Sequence, residues 1–232
     1  MKINKKKLTT FLRKFRMTGL QVIDEAVFKF EEDGLKVAAN SAPKQTRIQG
    51  WLKKTAFKEY EALGNVGLND LENVSKALDR FGEDVIIKKE GNLLNVSGNG
   101  KKVDIELVSE NFLDTDTGEP TLEFEDTFAI SSGKLKEVFK DTTMNKDAIL
   151  TIQTDDKKVL FSNTGKYKFK TEFAAPSCKG GVKVDFGEPL IDALSNLDGN
   201  LDMSVKTDYP TRVVEKTEDS VINLIIAPRV ED

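Results

Sequence analysis

LENVSKALDRFGEDVIIKKEGNLLNVSGNGKKVDIELV, residues 71–108, changes its period once along its length. Leu71, Val74, Leu78 and Phe81 recur at intervals of three and four, which aligns them on one stripe of an α-helix. Behind them DVIIKKEG, NLLNVSG and KKVDIELV alternate apolar and polar residues between Gly and Asn turns, as antiparallel strands do. Asn69 stands at the helix start with Glu72 three residues on, a variant of the capping box, so Asn69 is the expected cap. On the helical wheel Lys76 and Arg80 fall opposite the stripe with Asn69 and Asn73, and Asp70 and Asp79 lie on the flanks.

The same text returns at residues 135–173. Leu135, Val138 and Phe139 face inward, Lys136 and Lys140 outward, and Ser131 or Ser132 supplies the cap. Val74 matches Val138, Lys76 matches Lys140, and three strands follow at the same spacing, so the chain is internally duplicated. Between the copies SENFLDTDTGEPT is acidic and contains Gly and Pro, as a linker does. The expected division is an N-terminal domain 1–109, a connector 110–121 and a C-terminal domain 122–232.

Two further units flank this pair. In KINKKKLTTFLRKFR, Lys2 to Arg16, the apolar stripe is Leu8, Phe11, Leu12 and Phe15, with Lys6, Arg13 and Lys14 read as the opposite side. The strands VIDEAVFKFEEDGLKVAA, turning at Asp33-Gly34, and TRIQGWL follow it. FGEPLIDALSNL turns Leu190, Ala193, Leu194 and Leu197 inward, and leads into NLDMSVKTD and SVINLIIAP. Helices therefore begin near residues 7, 69, 132 and 187, and each is followed by antiparallel β. The expected fold class is α+β: two similar domains, each of two helix-plus-sheet units, with helices on one face and sheets on the other.

Composition excludes much chemistry. The 232 residues contain no His, which removes the usual general base, the His-activated nucleophiles and the commonest transition-metal ligand. Cys178 is the only cysteine, so no internal disulfide and no Cys-based zinc site can form. No apolar run approaches the roughly 20 residues of a spanning helix, and a cytosolic protein is the expectation. There is no GxxxxGK[ST] phosphate loop. Asp116-Thr117-Gly118 occurs once, in a polar linker, whereas an aspartic protease needs two such loops. Asp114, Asp116 and Glu125 imitate a calcium loop, but Gly118 and Glu119 occupy positions where that loop needs Asp/Asn and Gly. The Asn-Val-Ser triplets at Asn73 and Asn95 match a glycosylation acceptor without a secretory route.

Charge points toward a polyanion. The net charge is −4, yet Lys2–Arg16 carries seven Lys or Arg and no acid, leaving about −11 on the other 217 residues. A Lys-rich helix back is ordinarily a solvated face, but here it recurs on three of four helices in an acidic chain. The fourth breaks the rule, with Glu188, Asp192 and Ser195 outward. Basic residues spread over separate helices without aromatic interleaving suit phosphates and not bases, so the expected ligand is duplex DNA without regard to sequence.

VIDEAVFKFEEDGLKV, FKEYEALGNVGLNDLENVSKAL and the terminal LIIAPRVED together resemble a sliding clamp of the proliferating cell nuclear antigen (PCNA) type, in archaeal or eukaryotic style. That resemblance implies a non-catalytic DNA polymerase processivity factor without cofactor. Three two-domain subunits would close head to tail into a homotrimeric ring, helices inside, through which duplex DNA slides. Lys6, Arg13, Lys14, Lys76, Arg80, Lys136 and Lys140 would face the phosphates. The subunit joint would pair Lys101–Val108, with Val103, Asp104, Ile105 and Glu106, against Lys166–Phe173, with Lys166, Lys168, Phe169 and Lys170, and the opposite charges suit that pairing.

The resemblance also implies that polymerase and other DNA-processing enzymes dock by short peptides in a pocket of Asn40, Phe112, Leu113, Tyr209, Pro210, Ile225, Ile226, Ala227 and Pro228. A separate clamp loader would open the ring, in the cytoplasm or nucleoid, or in the nucleus or host cell of a eukaryotic or viral source. The chain departs from the family in its polar Asn40, Lys44 and Arg47, in Trp51 and in its short connector. The alternative is a clamp-fold processivity or scaffold factor working directly on DNA as a monomer or dimer, which strong salt-sensitive binding to linear duplex would favour, or as one subunit of a hetero-ring, which would not trimerise alone.

Overall fold

Seventeen strands and four helices are arranged in the computed structural model, which describes residues 1–17, 19–113 and 120–229. The first unit runs β1 (Lys2–Asn4), α1 (Lys5–Phe15), β2 (Ala26–Glu31), β3 (Gly34–Asn40), β4 (Thr46–Lys53), β5 (Phe57–Glu59) and β6 (Gly64–Leu68). The second is α2 (Leu71–Asp79), β7 (Asp84–Glu90), β8 (Leu93–Gly98) and β9 (Lys101–Glu106). The third is β10 (Asp126–Ser131), α3 (Ser132–Thr142), β11 (Leu150–Asp155), β12 (Lys158–Asn163), β13 (Lys170–Ala174) and β14 (Lys183–Phe186). The fourth is α4 (Glu188–Leu194), β15 (Asn200–Val205), β16 (Thr211–Lys216) and β17 (Ser220–Ile226). Residues 114–119, most of the expected connector, lie outside the described residues, as do Val230–Asp232.

The strands form three antiparallel sheets. β2, β3, β4 and β6 of the first unit and the strands of the fourth, with β10, make a central sheet in the order β10-β15-β16-β17-β4-β3-β2-β6. Those of the second form most of β5-β1-β7-β8-β9, and those of the third form β13-β12-β11-β14. The central sheet is continuous between the two halves because β17 pairs with β4, from Ser220 opposite Leu52 to Ile226 opposite Thr46. An isolated bridge between Gly67 and Val108 links it to the second-unit sheet, and a Cβ at Gly67 would fall 2.2 Å from the Val108 carbonyl oxygen.

One face of the central sheet is the core. Ile130, Leu201, Glu215, Ile222, Gly50, Val37, Phe28 and Val66 stand side by side across eight strands. All are buried, and all but Glu215 are apolar. Gly50 has a steric reason: a Cβ there would fall 2.3 Å from Cζ of Phe15, so its absence lets the last turn of α1 sit directly on β4. Phe15 is fully buried and packs on Phe11, with ring centroids 5.2 Å apart. The expected apolar stripes of all four helices are buried in this same core, apart from Leu12, which is half-buried against it.

Local capping follows the sequence with one correction. The side chain of Asn4 accepts from the Lys6 amide at 2.9 Å, and Ser131 caps α3 by accepting from the Lys134 amide at 3.4 Å. For α2 the cap is Asp70 and not Asn69. Asp70 takes a left-handed backbone, φ 53°, which turns its carboxylate onto the Asn73 amide at 3.2 Å.

Candidate nucleic-acid interface and partner surface

The helix layer turns its basic residues outward as expected at six positions: Lys6, Arg13, Lys76, Arg80, Lys136 and Lys140 are all exposed. Lys14 is the exception. It follows Phe11 by three residues, which places it on the edge of the apolar stripe, and it is buried against the sheet in an ion pair with Glu215. The other Glu215 oxygen accepts from the Asp198 amide at 3.2 Å. The signal was present in TRVVEK, where Glu215 occupies the inward phase that Thr211 and Val213 share.

Several exposed cations already have carboxylate partners. Arg13 on α1 meets Asp79 at the end of α2 at 3.4 Å, and Arg16 meets Glu72 at 2.9 Å. Lys76 meets the same Glu72 at 2.6 Å, one turn away on its own helix, and Lys136 meets Asp198 at 3.0 Å. The hydrogen bond from Lys76, and then the Arg16 charge, hold the Glu72 carboxyl below its ordinary pKa. Among the described residues Lys6, Arg80 and Lys140 have no acidic partner within 4.0 Å. Of these acids only Glu72 could have been read from sequence spacing.

Of the four outer strands of the flanking sheets, β5, β9, β13 and β14, two carry the residues expected at a subunit joint. β9 pairs only with β8, and β13 only with β12. On β9, Val103 and Ile105 pack toward the core, whereas Lys102, Asp104 and Glu106 are exposed. A hydrogen bond from Asn95 Nδ2 at 2.6 Å, and then the Lys102 ammonium at 3.1 Å, lower the Asp104 pKa. β13 starts later than the expected Lys166–Phe173 segment: Lys166, Lys168 and half-buried Phe169 precede it, and Lys170 opens it. The turn is held there because Asn163 Oδ1 accepts from the Phe169 amide at 2.6 Å and Asn145 Oδ1 from the Tyr167 amide at 2.9 Å.

The expected partner pocket falls on the solvent side of the central sheet, with two corrections. Ser204, Arg212, Ile225, Arg47 and Asn40 form one cross-strand row there. Ile226, one residue on, points the other way and is fully buried in the core, so it cannot line a surface pocket. Leu113 is buried over Gly67, whereas Phe112, on the single turn Glu110–Phe112, is 81% exposed. Ala227 and Pro228 are half-buried beyond β17, and Tyr209 and Pro210 precede β16. Tyr209 meets Phe124 edge-on, centroids 6.3 Å apart, and Arg212 lies 5.0 Å over Phe124. Phe124 thus joins the row though nothing in its local sequence marks it. Trp51, on the same side, donates Nε1 to the Asp33 carbonyl at 3.2 Å beneath Lys36.

Among the described residues no three His, Cys, Asp or Glu side chains converge as a metal site, and no helix is long and apolar enough to cross a membrane. No protein-family model matches the chain. Curated relatives do: it is 26% identical over 235 residues to the DNA polymerase sliding clamp of Methanococcus vannielii, covering 90% of this chain and 92% of that one. It is 25% identical over 243 residues to the DNA polymerase sliding clamp of Thermococcus sibiricus, covering 93% of each. Among solved structures it resembles the A. fulgidus PCNA bound to the C-terminal region of FEN-1, with a TM-score of 0.85 at 17% identity over 100% of this chain and 98% of that one. The PCNA of Entamoeba histolytica gives 0.84 at 20% identity over 99% and 98%. Whole-length similarity to named clamps, the shared fold and a basic helix layer backed by sheets converge: the chain resembles sliding clamps of the PCNA type along its whole length and has their fold.

Proposed function

We propose that three copies of the chain close into a ring around duplex DNA, helices inward, and tether DNA polymerase and other DNA-processing enzymes by topology and not by catalysis. The observation that carries this is the pair of open edges with complementary charge order. Along β9 the exposed charges run Lys101, Lys102, Asp104, Glu106, and along the turn and β13 they run Lys166, Lys168, Lys170, Glu172. Antiparallel pairing sets Asp104 and Glu106 against the lysines and Lys101 and Lys102 against Glu172, whereas parallel pairing sets lysine against lysine. One copy's β9 thereby selects the next copy's β13, a head-to-tail contact that closes when the rotation does.

Inside the ring Lys6, Arg80 and Lys140, with Arg13, Lys76 and Lys136, would meet phosphates without reading bases. Outside, the Arg212–Ile225–Arg47–Asn40 row with Tyr209, Phe124 and Phe112 would take partner peptides, and a separate loader would open the ring wherever DNA is replicated. The lack of Lys or Arg on the outward face of α4 favours a second reading, one subunit of a mixed ring, and the chain also resembles a PCNA2–PCNA3 complex of Sulfolobus tokodaii, TM-score 0.79 at 16% identity over 99% of each chain.

Light scattering on a sizing column tests the choice. Three copies of 25.8 kDa give about 77 kDa, persisting on dilution and collapsing when Lys168 and Lys170 are both changed to Glu. A species that stays at 25.8 kDa overturns the homotrimer. Retention on circular but not linear duplex tests encirclement itself.

A further inference from the structure

The helix face is basic in sequence but largely neutralised in space. We propose that Glu72, Asp79 and Asp198 are built-in counter-ions that hold Arg13, Arg16, Lys76 and Lys136 off the DNA phosphates, so that these cations touch DNA only by exchanging one carboxylate for one phosphate. The inference rests on the reading that duplex DNA passes the helix face, and it assigns to three acids a role opposite in sign to that of their neighbours.

The geometry is consistent across separate elements. Asp79 ends α2 and reaches Arg13 on α1, while Asp198 follows α4 and reaches Lys136 on α3. Each half of the chain therefore carries one cation from its first helix locked to one acid from the end of its second. Glu72 alone holds two cations, at 2.6 and 2.9 Å. The six side chains of Arg13, Arg16, Lys76, Lys136, Glu72 and Asp79 are between 40% and 60% exposed, and Asp198 is 68% exposed, so a phosphate can reach every pair.

Such exposed pairs are individually weak, and a phosphate can displace the carboxylate at little cost. The freed carboxylate then stands beside the DNA and repels it, so the contact is not retained. Of the seven cations expected to face phosphates, Lys6, Arg80 and Lys140 are left without a carboxylate among the described residues and attract DNA unconditionally. A clamp that must stay mobile gains from this arrangement, because fixed phosphate contacts would hold the duplex at each register, whereas exchanging ones let it pass.

The test is binding of the full chain to a short fluorescent linear duplex, by anisotropy, across a salt series. Glu72→Gln/Asp79→Asn/Asp198→Asn is compared with wild type and with Glu31→Gln/Asp33→Asn/Asp202→Asn. That control removes the same charge from acids that pair with Lys36 and Lys216 on the sheet side. The helix-face variant is expected to bind about tenfold tighter or more at low salt, with a slope steeper by about 0.9 for each cation released, and the control to stay near wild type. Equal tightening by both variants would reduce the effect to net charge and overturn the proposal. No change in the helix-face variant, with wild type binding, overturns it too. Absence of binding by all three chains overturns this proposal, while the encirclement reading stands or falls separately on retention on circular duplex. Glu72→Gln alone frees two cations and gives the same readout should the triple variant lose stability.

Discussion

Two kinds of lysine–carboxylate pair lie on the two sides of the helix layer. Beneath it Lys14 and Glu215 are both buried and join the first unit to the fourth. Above it Lys76 and Glu72 are 60% and 42% exposed and join a helix to itself. The chemistry is the same, but the solvent differs, and with it the consequence of losing one partner. A buried charge left alone has no water to replace its partner, whereas an exposed one is simply hydrated. The buried pair is therefore a structural tie between the halves, and the exposed pairs are free to be used on a ligand.

The sharpest way to break this comparison is Lys14→Met, which strands Glu215 inside the sheet face. Chemical denaturation should show a loss of about 3–5 kcal/mol, most of it recovered by adding Glu215→Leu. A small loss in the single variant would mean that water reaches the pair. Next in size is Gly50→Ala, whose methyl would fall 2.3 Å from Phe15 and lift the end of α1 that carries Lys14. It should cost about 1–3 kcal/mol, read as a melting temperature lower by several degrees.

Acid sharpens the contrast at a third site. Burial pushes the carboxyl of Asp126 up, but hydrogen bonds from the Lys179 amide, the Thr154 hydroxyl and the Gly180 amide together outweigh it and hold the pKa below its ordinary value. A depressed folded-state pKa means stability that is present above the unfolded value of about 3.9 and lost as pH falls through the folded one. Asp126→Asn should therefore be less stable at pH 7 yet lose less on acidification, and parallel pH profiles would contradict this. The smallest effect belongs to Glu72→Gln, which should leave the melting temperature within about 1–2 °C of wild type.

Much of the helix layer could be read from spacing, since a three- and four-residue stripe fixes which side is buried whatever lies beneath. The errors came where one residue of phase decides the outcome. Lys14 borders the stripe, and only the inward Glu215, 201 residues away, makes its burial tolerable. Ile225 and Ile226 are indistinguishable by type, and the strand's two-residue period sends one to solvent and the other to the core. Asn69 and Asp70 are both good caps, and the left-handed turn at Asp70 decided between them. The acids that meet Arg13 and Lys136 come from other helices or their ends, so no local pattern could reveal them. The duplication was visible, but not that its outer copies would merge into one sheet.

That merger fixes an order of events when the chain is made from its N-terminus. β4 emerges early with β3 on one side and nothing on the other, and the strand that covers it, β17, comes last. Until roughly the whole chain has been synthesised, β4 presents an unpaired row of amides and carbonyls, flanked by an apolar face still awaiting its neighbours. Closing it is a contact of long sequence separation, the kind that slows folding. A nascent chain stalled before residue 220 would thus carry the edge most prone to pair with another chain, and a shielding chaperone would be needed most at that stage.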